Sequence, residues 1–317
     1  MKKLAMIKDL APIIGLILVT IFFTITTEGA ILRVTNLQSL LNQFIVTALV
    51  SIGAVFVFGS GNFDMSMGSI IGFAAVIGAM VAIKTGSIWL AFAVIMGFSL
   101  VLGILKGLFA AFVEVPLFIV TIVLATVITS ALLVMMGSET TLYLRDAVKE
   151  IPSLDFAQMT TINIVVLAGF FLICLIVFNY TGLGREVKIL GGNPVTARQT
   201  GLNPIKIKLM SFIISAIGVG LAAFVILIRT RTVGSTTASS VGTDVMVALV
   251  LGGMPLMGGP RSRISAGLIG AITITVLNSG LTIMGLDLAT IQIARAIVFL
   301  AVVYVASMTY RTKLLPR

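Results

Sequence analysis

Side chains able to do covalent chemistry are nearly missing from this chain. Its 317 residues include no histidine and one cysteine, Cys174, so neither a disulfide framework nor a His/Cys metal site can be assembled. Among its 11 acids no paired carboxylates stand out, and no nucleophile–base pair accompanies them. Neither Lys84-Thr85 nor Lys106 follows the glycine-rich run of a phosphate-cradling loop, which removes the Walker A route to nucleotide. We therefore expect no catalytic residue, no metal and no cofactor. What remains is a set of polar residues inside apolar stretches and one highly ordered basic loop.

A charge at the centre of a membrane helix costs roughly 2.5–3.5 kcal/mol on insertion scales, so each such residue needs a role. Asp64, Ser66 and Ser69 precede or open an apolar run, with Gly68 between them. Their short oxygens suit the exposed N–H groups of a helix that starts inside the membrane boundary, a capping role favoured over ligand binding. Asp244, just after Ser239, Ser240 and Thr243, opens a later run in the same style, where the helix dipole favours a carboxylate. Asn278, Ser279 and Gly280 interrupt another run and either line a polar path or serve as interhelical glue. Gln292 and Arg295 lie one turn apart near the end; Arg295 either snorkels outward or pairs inside the bundle. Glu114 with Pro116 marks a short structural turn.

The ordered loop covers 181–208 and reads TGLGREVKILGGNPVTARQTGLNPIKIK. Asn193-Pro194 is an N-cap followed by proline at the first helical position, and Asn203-Pro204 repeats it. Gly201 stands where a left-handed glycine ends a helix begun at Asn193. The spacing predicts two turns of helix over 194–200, flanked by Gly191 and Gly192. So short a helix is not stable alone. It suits a knob seated in a groove on a cytoplasmic partner, with Ala197 and Arg198 on it; the plainer reading is a basic loop held by anionic membrane lipid.

The elements that must position these residues follow from composition. Hydrophobic residues make up 59% and charged ones 10%, with a mean hydropathy of +1.20. A water-soluble domain carries about 25% charged residues, so that class is excluded. A spanning helix takes about 20 apolar residues. Apolar runs at about 11–27, 40–58, 65–83, 87–105, 116–136, 161–178, 209–228, 244–257, 264–284 and 292–308 predict an all-α integral membrane protein of about ten spans, one domain over 1–317. With both termini in the cytoplasm, fourteen of the 21 basic residues fall in inside loops, Lys106 among them. Six fall outside, and Arg295 lies within the last span. That is the asymmetry of the positive-inside rule, and it makes membrane orientation, not nucleic-acid binding, the use of the +10 net charge. The external segment 137–158 sums to −2, and Leu142, Leu144, Val148 and Ile151 suggest a short amphipathic helix. It is either a solvated loop or a docking surface for an external partner. Gly68/Gly72 and Gly103/Gly107, each four apart, predict close helix approaches.

Four segments in order carry a family resemblance. GLGREVKILGGNPVTARQTGLNPIKIK resembles the cytoplasmic coupling loop of permease subunits in the ribose-type branch of ABC importers. FGSGNFDMSMGSIIG at 58–72 is similar to that family's segment opening the third span. GTDVMVALVLGGMPLMGG at 242–259 and GLIGAITITVLNSGL at 267–281 continue the likeness, which runs from about residue 35 to 308. The chain departs from the pattern at Pro260-Arg261-Ser262-Arg263, at Val241 and Gly242, and at Lys106, where a small polar residue is common.

The resemblance implies a BtuC-like, type II importer bundle in the cytoplasmic (inner) membrane of a prokaryote. It implies an ABC ATPase subunit gripping 191–201, and a second permease copy, identical or paralogous. It also implies an external substrate-binding protein, and it favours a monosaccharide as cargo, with nucleosides second. Against this stands an ion-coupled secondary transporter, which needs acids or histidine within its spans; here the acids read as span-edge residues. A membrane-embedded enzyme finds no support in the residue set.

Overall fold

The computed structural model describes residues 2–113, 115–144 and 156–314. Long apolar runs with few breakers fold as helices. In chain order these are α1 (Lys2–Thr26), α2 (Val34–Gly59), α3 (Met67–Thr85), α4 (Ile88–Phe112), α5 (Leu117–Met136), α6 (Phe156–Tyr180), α7 (Gly182–Gly192), α8 (Pro194–Gln199), α9 (Pro204–Thr230), α10 (Val241–Leu251), α11 (Ile264–Ile283) and α12 (Leu288–Leu314). Seven of them, α2 to α6, α9 and α11, are long and apolar enough to cross a membrane. The other three expected spans correspond to shorter apolar stretches, Leu10–Thr26, Val241–Leu251 and Ala289–Tyr304.

The layering follows residue size. In α2 and α9, 72% and 67% of the most apolar window is buried, against 22% in α5, so the first two form the centre and α5 the rim. α2 and α9 run antiparallel, and glycine sets their spacing. A Cβ on Gly53 would meet the Ser215 backbone at 3.0 Å, and one on Gly218 would overlap the Leu49 carbonyl. α4 closes on the other side of α9 through Gly103 and Gly107, as the four-residue spacing predicts. α11 reaches α2 through Gly267 and α10 through Gly270. Around this centre α1, α5, α6 and α12 turn side chains such as Phe22, Val123, Ile173 and Ile297 outward, the composition of a lipid-facing surface.

Two helices begin inside the bundle rather than at its ends. After α2 the chain runs without helix until α3 starts at Met67. After α9 it forms β2 (Thr232–Gly234), then turns over 235–240 and starts α10. The two breaks cover each other. Gly68 lies against the Ala238 carbonyl and against Gly242 in the first turn of α10, and Gly72 against the Thr237 carbonyl, so this second glycine pair packs on the turn and on the helix start that follows it. Irregular backbone is tolerated at membrane depth only where protein shields it, as here.

Several expectations are corrected. The segment 137–158 does not open as an amphipathic helix: Thr141–Tyr143 is a strand, β1, paired antiparallel to β2 with Thr141 opposite Gly234. Backbone pairing with a distant strand outweighs the local apolar pattern; residues 145–155, with Val148 and Ile151, lie outside the described ones. The stretch expected as the eighth span is helical over 241–251, not 244–257, since Gly252 and Gly253 end it. Asn278 does not interrupt the ninth, because α11 is continuous through it. Lys106 is not a loop residue but buried within α4.

Candidate functional site

The loop 181–208 folds largely as its cap residues dictate. Asn193 Oδ1 accepts from the N–H groups of Val195 (2.9 Å) and Thr196 (3.1 Å), and Asn203 Oδ1 accepts from Ile205 (3.0 Å) and Lys206 (3.2 Å). Each cap satisfies two of the amides a helix start leaves open. Pro194 and Pro204 occupy the first helical turns. The chain leaves α8 through Gly201, whose φ of 79° is left-handed, and the Leu202 N–H returns to the Ala197 carbonyl at 3.1 Å. Ala197 is fully buried, while Pro194, Val195 and Arg198 on the same helix are exposed. The segment 182–192, part of an undivided loop by its sequence, is itself helix α7, with Val187 and Leu190 buried.

The elbow between α7 and α8 is fixed to the bundle by backbone. A Cβ on Gly191 would overlap the Gly59 carbonyl oxygen, which accepts the Gly259 N–H at 3.0 Å. Gly192 abuts the Pro260 ring. Three distant segments, the end of α2, the elbow and the turn before α11, therefore meet backbone to backbone at Gly59, Gly191 and Gly259, with the Val187 and Pro260 side chains packed beside the join. Lys188 on α7 lies 4.6 Å from the Phe178 ring centroid, and burial, then the nearby Arg263 charge, hold its pKa below the usual lysine value.

The aspartates take other roles than simple caps. Asp64 is buried and its Oδ1 accepts from the Ser66 N–H (2.9 Å) and Ser66 Oγ (2.6 Å). These belong to the residue preceding α3, not to the open amides of the helix itself. Its other oxygen forms an ion pair with Lys106, whose Nζ also donates to Ser66 Oγ at 3.2 Å and lies 5.8 Å from the Phe212 centroid. Ser69 leaves the cluster and bonds Thr129 Oγ1 at 3.0 Å. Asp244, in the first turn of α10, accepts from Ser240 Oγ at 3.2 Å and forms an ion pair with Arg295 of α12, so Arg295 pairs inside the bundle. Both acids are thus buried and neutralised by cations that sequence reading leaves apart. Only the intramembrane cost of charge points to such partners.

Asp244 and Asn278 share a cavity of about 250 Å³ between α2, α9, α10 and α11. Thr47, Thr275 and Arg229 line it too; they carry no sequence signal beyond being polar in apolar runs. The structure places Asp64, Ser66, Gly68 and Ser69 outside this cavity lining, and the elbow residues apart from both.

The chain matches, over residues 36–307, the model of a family described as the permease component of the branched-chain amino acid transport system. The chain belongs to this permease family. It is accordingly a multi-pass protein of the bacterial inner membrane. Among similar proteins, the ribose import permease of Haemophilus influenzae is 29% identical over 273 residues, 85% of this chain and 84% of that one. The ribose import permease of Escherichia coli K12 is 27% identical, covering 91% of both chains. The xylose transport system permease of Haemophilus influenzae is 25% identical over 86% of this permease and 88% of that one. No solved structure matches this permease.

Proposed function

We propose that this permease is the membrane-spanning subunit of an ATP-binding-cassette importer that moves a monosaccharide across the cytoplasmic membrane by ATP-driven alternating access. Relatives named for ribose, xylose and fructose support the cargo class. The observation that carries the coupling is the α7–α8 elbow: an exposed, doubly capped helix whose base is locked to Gly59 and Gly259. In this reading 1–317 is one permease domain, 181–208 is its cytoplasmic coupling loop and 137–158 an external loop. A separate ATPase closes on α8 through the exposed Asn193, Pro194, Arg198 and Gly201, while the buried Ala197 and the glycines Gly191 and Gly192 seat the helix on the bundle. A push there reaches the end of α2 and the turn before α11 without a soft joint. Two copies form the pathway, an external binding protein delivers the solute, and both termini face the cytoplasm. Asp64, Ser66, Gly68 and Ser69 hold the start of α3, and Asp244 and Asn278 stand on the solute's route.

The test is deletion of 194–200 or Gly201→Pro. Proline fixes φ near −65°, far from the 79° found there. Membrane insertion is retained and transport-coupled ATP hydrolysis is abolished; undiminished uptake overturns the assignment of the loop. One observation favours a second reading, an ion-coupled secondary transporter: two acids are buried within the bundle. Each is already paired with a cation, which leaves neither open to a transported ion. Gradient-powered accumulation by the purified chain alone in liposomes, without nucleotide, would select that reading instead.

A further inference from the structure

The cavity between α2, α9, α10 and α11 is shaped and equipped for one small ligand within a single chain. Its volume of about 250 Å³ is of the size of one sugar ring. Gln43 and Thr230 stand exposed at its mouth, at the end of the bundle where α9 finishes, while Thr47, Asp244 and Thr275 are buried at its floor. The polar groups converge from four helices. Two of them have capacity to spare: among the described residues no carboxylate pairs with Arg229, and Asn278 Oδ1 is buried without a hydrogen-bond partner.

The chemistry of these groups selects the ligand. Arg229 only donates, Asp244 only accepts, and Asn278, whose amide group donates to Asp244, presents an oxygen that accepts. A carboxylate or phosphate would satisfy Arg229 but face Asp244 and leave the Asn278 oxygen unmet. An apolar molecule would strand them all. A hydroxyl group both donates and accepts, so several on one ring meet the whole set. Because Arg295 already neutralises Asp244, no net charge on the ligand is called for on that side.

We infer that Arg229, Asp244, Asn278, Thr47 and Thr275 form a binding site for a neutral polyhydroxylated ring inside each protomer, entered from the end where α9 finishes. The inference rests on reading the chain as a solute permease. It adds a station within one chain to a pathway otherwise placed between two.

The test uses the full chain carrying Gln43→Cys at the mouth; Cys174, the one native cysteine, is buried and stays silent to a charged, water-soluble thiol reagent. D-Ribose, D-xylose or D-fructose at ten times its dissociation constant slows labelling about tenfold, whereas gluconate does not. Adding Thr47→Val, which keeps the side-chain shape, raises the dissociation constant about fivefold, the worth of one neutral hydrogen bond, so the same sugar concentration slows labelling only about threefold. Adding Asn278→Leu removes protection. No protection by any of the three sugars, protection by gluconate alone, or full protection in both floor variants overturns the site. ATP-driven uptake by the assembled importer is scored separately. Uptake that needs the elbow, with no sugar protection at position 43, sinks this inference and spares the importer reading; protection without ATP-dependent uptake does the reverse.

Discussion

Removing one member of the Asp64–Lys106 pair gives the sharpest expectation. The two side chains are buried, so Lys106→Met leaves a carboxylate with only the Ser66 N–H and Oγ to answer it. Asp64→Asn leaves an ammonium with Ser66 Oγ and the face of Phe212. Breaking a buried pair from one side costs about 3–5 kcal/mol, chiefly the stranded charge. Replacing both partners by neutral groups strands nothing, so the double variant Asp64→Asn/Lys106→Met should sit within about 1.5 kcal/mol of the parent. Read as thermal unfolding of the purified protein in detergent, either single variant loses on the order of 10 °C, and the double recovers most of it. Losses that simply add in the double variant would refute the reasoning. They would mean that each side chain stabilises the bundle through separate neighbours.

Other outcomes follow from the same geometry. Gly191→Ala puts a methyl group into the Gly59 carbonyl, so it displaces the elbow and removes ATPase coupling while insertion, followed by membrane fractionation, persists. Asn193→Ala loses two capping bonds, costs about 1 kcal/mol of local stability, and raises proteolytic nicking over 194–200 in limited digestion. Arg295→Gln leaves Asp244 without its counter-ion and loosens α12, which hydrogen exchange at 289–304 detects as faster uptake. The lowered Lys188 pKa means that the folded chain holds fewer protons than the unfolded one in the window just below 10.5, so this residue's share of stability rises with pH there. Arg263→Gln narrows that window, and Lys188 then acylates more slowly at a fixed alkaline pH.

Legibility in the sequence tracks how local the governing physics is. The elbow is readable because an Asn-Pro start and a glycine stop act within a few residues, and Asn193, Asn203 and Gly201 do what their chemistry predicts. The glycine pair at 103 and 107 is readable for the same reason, since a four-residue repeat already defines a helix face. Partners across 42 and 51 positions are not: nothing near Asp64 names Lys106, and nothing near Asp244 names Arg295. The same holds for β1 and β2, each three residues long and too short to show alternation. Gly68 and Gly72 do mark close-approach sites, yet what approaches them, a turn that dips into the bundle and the first residues of α10, is decided by tertiary packing. The cavity draws on four helices at once, and its lining residues, taken singly, look like ordinary interhelical contacts.

The join at Gly59, Gly191 and Gly259 also bears on how fast the molecule can respond. Backbone laid on backbone has no rotamers to re-sort, so in the proposed coupling a displacement at the elbow crosses these glycines, which have no side chains to repack. Such a hinge behaves as a gear with no play: small strokes are delivered whole, and a worn tooth (one added methyl group) jams it instead of softening it.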